Sequence, residues 1–178
     1  MGRSGISDVI VGSNTKSTYN AAFRLHYTIN KTIEPTIGLM SLTAGEVIRK
    51  TILPGTIRSV TIDNSFNYLI VPLGLRVNMN RIFIHPEIGI GPLLSANSES
   101  ELVGIDGTIS RESLDLKAMS HINNTFIPAF LSVGGRIQFF GLEWMIGLRG
   151  YYGLSSIIGD ALFSSRHYGY GAFVGVKF

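Results

Sequence analysis

Hydrophobic and polar residues alternate along the segment YNAAFRLHYTIN, residues 19–30. One parity of this segment is apolar or aromatic and consists of Tyr19, Ala21, Phe23, Leu25, Tyr27 and Ile29. The other parity places Arg24 and His26 among small polar residues. Side chains of a β-strand point alternately to its two faces, so this period of two predicts a strand with one apolar face and one polar face.

The same alternation recurs along the rest of the chain. Six further segments show it clearly: residues 32–39, 68–79, 81–95, 127–139, 142–154 and 168–178. A weaker one, SDVIVGSN at residues 7–14, has Val9 and Val11 on one parity. Bacterial single-chain barrels contain an even number of antiparallel strands, so the pattern predicts an all-β, eight-stranded up-and-down barrel.

The connections between these segments alternate in length. Tight turns are predicted at Asn30–Lys31, residues 78–80 and Phe140–Gly141, and long polar stretches occupy residues of about 43–66, 96–125 and 155–167. Outer-membrane barrels pair short periplasmic turns with long extracellular loops. We therefore expect residues 1–178 to form a single barrel domain with those three stretches as extracellular loops.

Five prolines interrupt the predicted strands: Pro35, Pro72, Pro86, Pro92 and Pro128. Proline has no backbone N–H to donate to a neighbouring strand, and a closed barrel has no free edge where that absence is harmless. We expect bulges or local breaks at some of these positions.

Composition decides which medium contacts the apolar face. Hydrophobic residues make up 45% of the chain and charged residues 15%, although no apolar run has the length of a membrane-crossing helix. The polar parity is rich in glycine with isolated charges, whereas the surface of a soluble, lipocalin-like barrel is denser in lysine and glutamate. The apolar parity carries no charge in any clear strand. These features predict a bacterial outer-membrane barrel whose apolar face contacts lipid.

The polar parity then points into the barrel. Its predicted inward network consists of Arg24, His26, Glu34, Arg76, His85, Glu87, Arg136, Glu143, Arg149 and Lys177. Eight strands enclose a space that side chains fill, so these charges are expected to pair as a plug, with a narrow ion path as the alternative. His26 and His85 could bind a metal with Glu87, but their spacing shows no tight ligand set, so neither a metal nor a cofactor is predicted.

Two segments add a resemblance to this pattern. NYLIVPLGLRV and RIFIHPEIGIGPLLSA, with the terminal GAFVGVKF, resemble the PorT-like outer-membrane β-barrel family of Bacteroidota-type bacteria. The resemblance implies an eight-stranded barrel in the outer membrane. One member of that family assists a secretion system, but the shared motifs build the barrel and do not carry this function over. Phe178 resembles the terminal aromatic residue that the barrel-assembly machinery recognises during insertion.

The sequence favours a structural or interaction role, in which the barrel presents loops to another envelope protein or to surface glycolipid, as an accessory subunit of an envelope complex. A short helix is expected around Ser113 to His121 within the longest loop. The alternatives are a lipid-modifying enzyme, for which SH at 120–121 and SSRH at 164–167 offer serine beside histidine, or a small pore. We predict no catalytic residues and no nucleic-acid partner, because the net charge is only +3. The start MGRSGISDVI lacks the apolar core of a signal peptide, which we expect to have been removed or replaced.

Overall fold

The structure, a computed structural model, describes residues 11–15, 20–30, 32–51, 57–119, 122–156 and 166–177. Within these ranges the chain is all-β, with one short 3-10 helix at Leu116–Ala118. Its ten strands are β1 Val11–Thr15, β2 Ala22–His26, β3 Ile33–Thr51, β4 Ile57–Met79, β5 Ile82–Gly104, β6 Ile109–Asp115, β7 Thr125–Phe126, β8 Pro128–Phe139, β9 Leu142–Gly153 and β10 Tyr168–Lys177. In the described ranges, no helical segment has the length and hydropathy needed to cross a bilayer.

All ten strands belong to one antiparallel sheet that curls into a half-barrel. Hydrogen bonds join the strands in the order β2-β3-β4-β5-β8-β9-β10, and each neighbouring pair is antiparallel. We call the curled part formed by β2, β8, β9, β10 and the adjoining halves of β3, β4 and β5 the barrel wall. The curl brings β10 across to β3, where Lys177 Nζ donates a hydrogen bond to Glu34 Oε1 at 3.0 Å.

The barrel wall contains seven strands in the described part of the chain, and the expectation of eight is not confirmed. The seven clearly alternating segments form these seven strands. The weaker segment predicted as the eighth contains β1, which pairs with β3 from Val11 opposite Lys50 to Thr15 opposite Glu46. It does not lie beside β10. The physical reason is that β3 extends well beyond the end of β2, so its distal edge offers backbone groups that β1 satisfies.

The stretches predicted as loops at 43–66 and 96–125 are mostly strand, which corrects that expectation. β3 continues to Thr51, β4 begins at Ile57, β5 continues to Gly104, and β6 returns along β5. We call this part, formed by β1, β6 and the distal halves of β3, β4 and β5, the distal sheet. The sequence concealed it because both faces are largely polar, and an alternation of apolar and polar residues appears only when one face is buried.

Within the predicted helix Ser113–His121, the structure contains only the 3-10 turn at Leu116–Ala118, which Asp115 caps by accepting a hydrogen bond from the Lys117 N–H. Residues 113–115 belong to β6. Ser120 and His121 lie outside the described residues. Asp115 is close to the end of β6, so its side chain competes with further strand pairing and turns the chain back toward the barrel wall.

The short connections are tight turns at one end of the barrel wall. Phe140 and Gly141 both have positive φ angles, +52° and +76°, as the two central residues of a type I′ hairpin require. The turn predicted at residues 78–80 lies instead at Asn80–Arg81, where Asn80 has φ +58°. Asn30 closes the first turn, because its Oδ1 accepts hydrogen bonds from the N–H groups of Thr32 and Ile33.

One proline coincides with an irregularity in the sheet. The register of β4 against β5 shifts between Asn67 and Tyr68, opposite the residues that follow Pro92. On its other edge, β5 changes partner at the same place, from β8 to β7 and then to β6. Pro128 is the first residue of β8. Proline therefore marks the level at which the barrel wall gives way to the distal sheet.

Candidate functional site

The outer face of the barrel wall is apolar. Phe23 and Leu148, on β2 and β9, are 67% and 70% exposed. The same outward row contains Leu25, Ile37, Leu39, Leu73, Leu75, Ile88, Ile90, Leu131, Val133, Ile146 and Val174, all more than a third exposed. The structure shows the predicted apolar outer face on these strands, whereas their inner face carries both charged and buried apolar side chains. Monomeric soluble proteins rarely expose a contiguous apolar surface of this extent.

A hydrogen-bonded polar row ends this apolar surface on the side of the distal sheet. Thr43 Oγ1 donates to Asn67 Oδ1 at 2.7 Å, and Asn67 Nδ2 donates to Ser95 Oγ at 2.9 Å. Asn20 extends the row, since its Oδ1 accepts from the Thr43 N–H. Beyond it, the outward side chains of the distal sheet are mostly polar, including the exposed ion pair of Arg111 with Glu101. The row therefore separates an apolar from a polar exterior.

Inside the wall, one charge cluster surrounds Glu34 near the tight turns. Arg76 Nη2 and Lys177 Nζ both donate hydrogen bonds to its carboxylate, and the Arg76 side chain is completely buried. Glu143 lies 3.5 Å from Arg76 and 3.5 Å from Arg136, so it links these two guanidinium groups. Five strands, β3, β4, β8, β9 and β10, contribute to the Glu34 and Glu143 contacts, and the ion pairs therefore tie opposite sides of the curl together.

A second cluster surrounds Glu87, deeper in the barrel wall. Its carboxylate accepts hydrogen bonds from Arg24 Nε at 2.7 Å and Arg24 Nη2 at 3.3 Å, and it forms an ion pair with Arg149. The Glu87 side chain is 1% exposed. Arg24, Glu87 and Arg149 come from β2, β5 and β9, so no two of them lie on adjacent strands. This carboxylate therefore joins three separate parts of the wall.

Small residues make room for these charges. A Cβ atom at Gly74 would lie 2.5 Å from Glu87 Cγ and 3.0 Å from His85 Nε2. A Cβ atom at Gly169 would lie 2.5 Å from the Tyr151 ring. Real Cβ atoms essentially never approach other heavy atoms so closely. Gly74 and Gly169 are therefore required by the bulk of the side chains that they face.

An apolar plug fills the interior between the Glu87 cluster and the distal sheet. Tyr68 and Phe126 stack with ring centroids 4.7 Å apart, and both are buried. The plug also contains Met40, Leu42, Ala44, Phe66, Ile70, Leu93, Ala96 and Phe130. Arg149 lies over the Phe130 ring at 4.8 Å, so the charged layer contacts the apolar layer directly. At this level the interior is thus filled by buried apolar side chains.

The structure turns all ten residues of the predicted inward network to the interior, in two clusters rather than one. Sequence reasoning missed the apolar plug and the uncharged partners of the charged groups. Met40 Sδ lies 3.6 Å from Arg149 Nη1, and Phe83 packs beneath Arg76 at 5.6 Å. Their signal was present in the sequence, since Tyr68 and Ile70 share the parity of Arg76.

Both inward histidines lie near a carboxylate, and His85 is also hydrogen-bonded. His85 Nε2 hydrogen-bonds Thr36 Oγ1 at 2.8 Å and lies 3.7 Å from Glu87, while His26 Nδ1 lies 3.7 Å from Glu34. Their ring centroids are 6.4 Å apart. The described residues contain no group of three or more histidine or acidic side chains arranged to hold a metal ion.

His167, which directly precedes β10, is buried. Its ring packs edge-on against Phe66 with the ring centroids 5.3 Å apart, so it contacts the apolar plug. The serine residues of the candidate SH and SSRH motifs, together with His121, lie outside the described residues, as does Phe178.

At the tip of the distal sheet, Thr108 orders the hairpin between β5 and β6. Its hydroxyl donates to Asp106 Oδ1 at 2.7 Å and its backbone N–H donates to the same atom at 3.0 Å. These hydrogen bonds, the hydroxyl first, hold the pKa of Asp106 below its usual value. The turn therefore presents a fixed negative charge at the far end of the molecule.

Comparison with family models, curated proteins and solved structures finds no match to this chain. The resemblance to the PorT-like family therefore stays a prediction.

Proposed function

We propose that this chain is a transmembrane β-barrel protein of the bacterial outer membrane, with a sealed interior. It acts as a structural or interaction subunit through its distal sheet. The observation that carries the proposal is the reversal of the usual arrangement in a water-soluble protein: charges face the interior and aliphatic side chains face outward. Such an arrangement is stable when hydrocarbon surrounds the wall.

The dimensions of the wall support this proposal. β8 and β9 each have 12 residues, and a tilted transmembrane strand needs about 9–11. The polar row at Thr43, Asn67 and Ser95 matches the level at which lipid tails would give way to headgroups. At the opposite end, the exposed aromatic residues Phe139 and Phe140 fit the aromatic girdle that barrels place at the interface.

The packing of the interior favours a structural role over a pore. The Glu34 and Glu87 clusters cross the interior, and the apolar plug closes it on the side of the distal sheet. Water and ions would have to displace buried aromatic rings to pass. The distal sheet projects from Asn67 to Ile57, ten residues or about 33 Å at the usual rise per residue. It is the part of the molecule best placed to contact another envelope protein.

Trp144 is the chain's single tryptophan and provides the test. It shares the outward parity with Leu148 and lies close to the tight turns. In vesicles that contain brominated lipids, its fluorescence should be quenched, more strongly by bromine near the headgroup than by bromine deep in the acyl chain. Moving the tryptophan to the middle of the wall, in Trp144→Phe/Leu148→Trp, should reverse that preference.

A tryptophan on the inner face serves as the control. Trp144→Phe/Tyr151→Trp places the fluorophore inside the wall, where brominated lipid should quench it weakly at either depth. A chain that dissolves as a monomer in water without detergent, with no quenching of Trp144, refutes the proposal. Fractionation of the native cell's membranes tests the location separately, since the outer-membrane assignment requires the chain to sediment with that membrane.

A further inference from the structure

The barrel wall ends in two edge strands, β2 and β10. β2 pairs with β3 on one side and β10 pairs with β9 on one side. No hydrogen-bonded ladder joins β2 to β10 in the described part of the chain. The outward edges of both strands therefore carry backbone N–H and C=O groups without a sheet partner.

The direction of these two strands limits how the wall can close. Six antiparallel steps lead from β2 to β10, so the two edge strands run in the same direction. Direct pairing of β2 with β10 would be parallel. Closure by antiparallel pairing needs one more strand, running opposite to both, which gives the even count found in bacterial barrels.

We propose that one β-strand donated by another polypeptide completes the wall, pairing antiparallel with β2 and with β10. This inference rests on the proposed membrane location, because unpaired edge groups are costly in hydrocarbon, where no water is present to satisfy them. The distal sheet is the natural contact for the rest of that partner, since it continues beyond the same seam.

The charges of the interior specify the chemistry of the donated strand. Among the ten network residues, five cationic side chains face three carboxylates, which leaves an excess of two positive charges. The cations are Arg24, Arg76, Arg136, Arg149 and Lys177, and the carboxylates are Glu34, Glu87 and Glu143. Arg24 and Lys177 stand on the two edge strands themselves. The donated strand therefore carries carboxylates at its inward positions. Its outward positions are apolar, like the neighbouring Leu25 and Val174, and it has about ten residues, the length of β10.

Two other sources fit this seam less well. A second copy inserts into the membrane in the same orientation, so its β10 would again meet β2 in parallel. Residues 1–10 lead into Val11, which lies opposite Lys50 on the distal sheet. From Lys50 back to Ile33, β3 runs for seventeen residues, about 58 Å, whereas ten residues span at most about 34 Å. Residues 1–10 by themselves do not reach over that distance.

A synthetic peptide copied from β9 is a suitable probe, because β9 already runs antiparallel to β10. In that pairing Glu143 lies opposite Lys177, and Ile146 lies opposite Val174. The peptide carries residues 142–153 with Trp144→Phe, Ile146→Cys and Arg149→Gln. The control peptide differs only by Glu143→Lys. The chain has no cysteine, so single variants Leu25→Cys and Val174→Cys of the full-length protein report each edge separately.

The proposal predicts that the acidic peptide forms disulfides with both single-cysteine variants in detergent micelles. The control peptide should need on the order of tenfold higher concentration for the same yield, because its lysine meets Lys177. The double variant Leu25→Cys/Val174→Cys alone should form no internal disulfide. A disulfide needs Cα atoms within about 7 Å, and a missing strand leaves the edges about 10 Å apart.

Three results would overturn the donated strand: an efficient internal disulfide in the double variant, a disulfide between two copies, or equal yields with the two peptides. Trp144 fluorescence in each variant checks that the wall remains folded. Leu25 and Val174 are both exposed, so cysteine at either position removes little packing. Failure of the proposed function would be seen separately, as solubility without detergent, whereas direct closure in a membrane-embedded chain defeats only this inference.

Discussion

Removing the charge of Glu87 is the sharpest test of the interior. Glu87→Gln keeps the size of the side chain but leaves Arg24 and Arg149 facing a neutral amide. Both guanidinium groups contact this carboxylate, and its side chain is 1% exposed. The substitution therefore leaves two cations in a site that water barely reaches.

The magnitude follows from the burial of the pair. Breaking a buried ion pair by removing one partner costs about 3–5 kcal/mol, because the remaining charge is left without compensation. The amide oxygen of glutamine still accepts a hydrogen bond, so the lower part of that range, about 3 kcal/mol, is expected for the free energy of unfolding. The slope of the unfolding curve should not change, since the surface exposed on unfolding is the same.

The assay is equilibrium unfolding in urea from detergent micelles, followed by Trp144 fluorescence. Glu101→Gln provides a matched control in the same chain. It removes a carboxylate from an ion pair of similar length, 2.9 Å to Arg111, but those side chains are 38% and 76% exposed. An exposed pair contributes about 0–1 kcal/mol, so the control should unfold almost as the wild type does.

A second substitution separates charge from packing. In Glu87→Gln/Arg149→Met, one uncompensated cation is replaced by an apolar side chain beside Met40 and Phe130, and about half of the lost stability should return. If Glu87→Gln costs no more than Glu101→Gln, the view of Glu87 as a buried tie across the wall is wrong. If the double variant is less stable than the single one, the loss comes from packing rather than from charge.

Three further substitutions probe the outer face, the plug and one turn. In vesicles, Leu148→Arg should lower the free energy of unfolding by about 2–4 kcal/mol, measured by urea unfolding with Leu148→Ala as the control. An equal loss of stability in the two variants would argue against lipid at this position. Phe126→Ala should destabilise the chain by about 3–5 kcal/mol, because the substitution removes the stack with Tyr68. The wild type should show no steady conductance in planar-bilayer recordings, and a large wild-type conductance would contradict a sealed interior. Phe140→Asn should stabilise the hairpin by about 1 kcal/mol in micelles, because residue 140 has a φ of +52°, which asparagine adopts more readily than phenylalanine. If the Phe140 ring anchors the chain at the membrane interface, the same substitution should weaken partitioning into vesicles. Unchanged partitioning would show that the ring is not an anchor.

The sequence by itself determined the faces of the wall. Strict alternation in seven segments fixed which side chains share a face, because a strand has a period of two whatever it pairs with. That is why Arg24, Arg76 and Arg149 could be assigned to one side before any coordinates were known. The same period of two separates the opposite parity as one face, and the lack of charge on that face indicated an apolar surrounding.

Only the tertiary structure decided the partners. The weak alternation that leads into β1 does not specify a partner strand. β1 pairs with β3 because β3 is long enough to offer a free edge there. The distal sheet escaped prediction because its polar faces carry no period. The division of the charges into the Glu34 and Glu87 clusters depends on which strands the curl brings opposite each other. Such contacts join residues more than forty positions apart, so no local pattern encodes them.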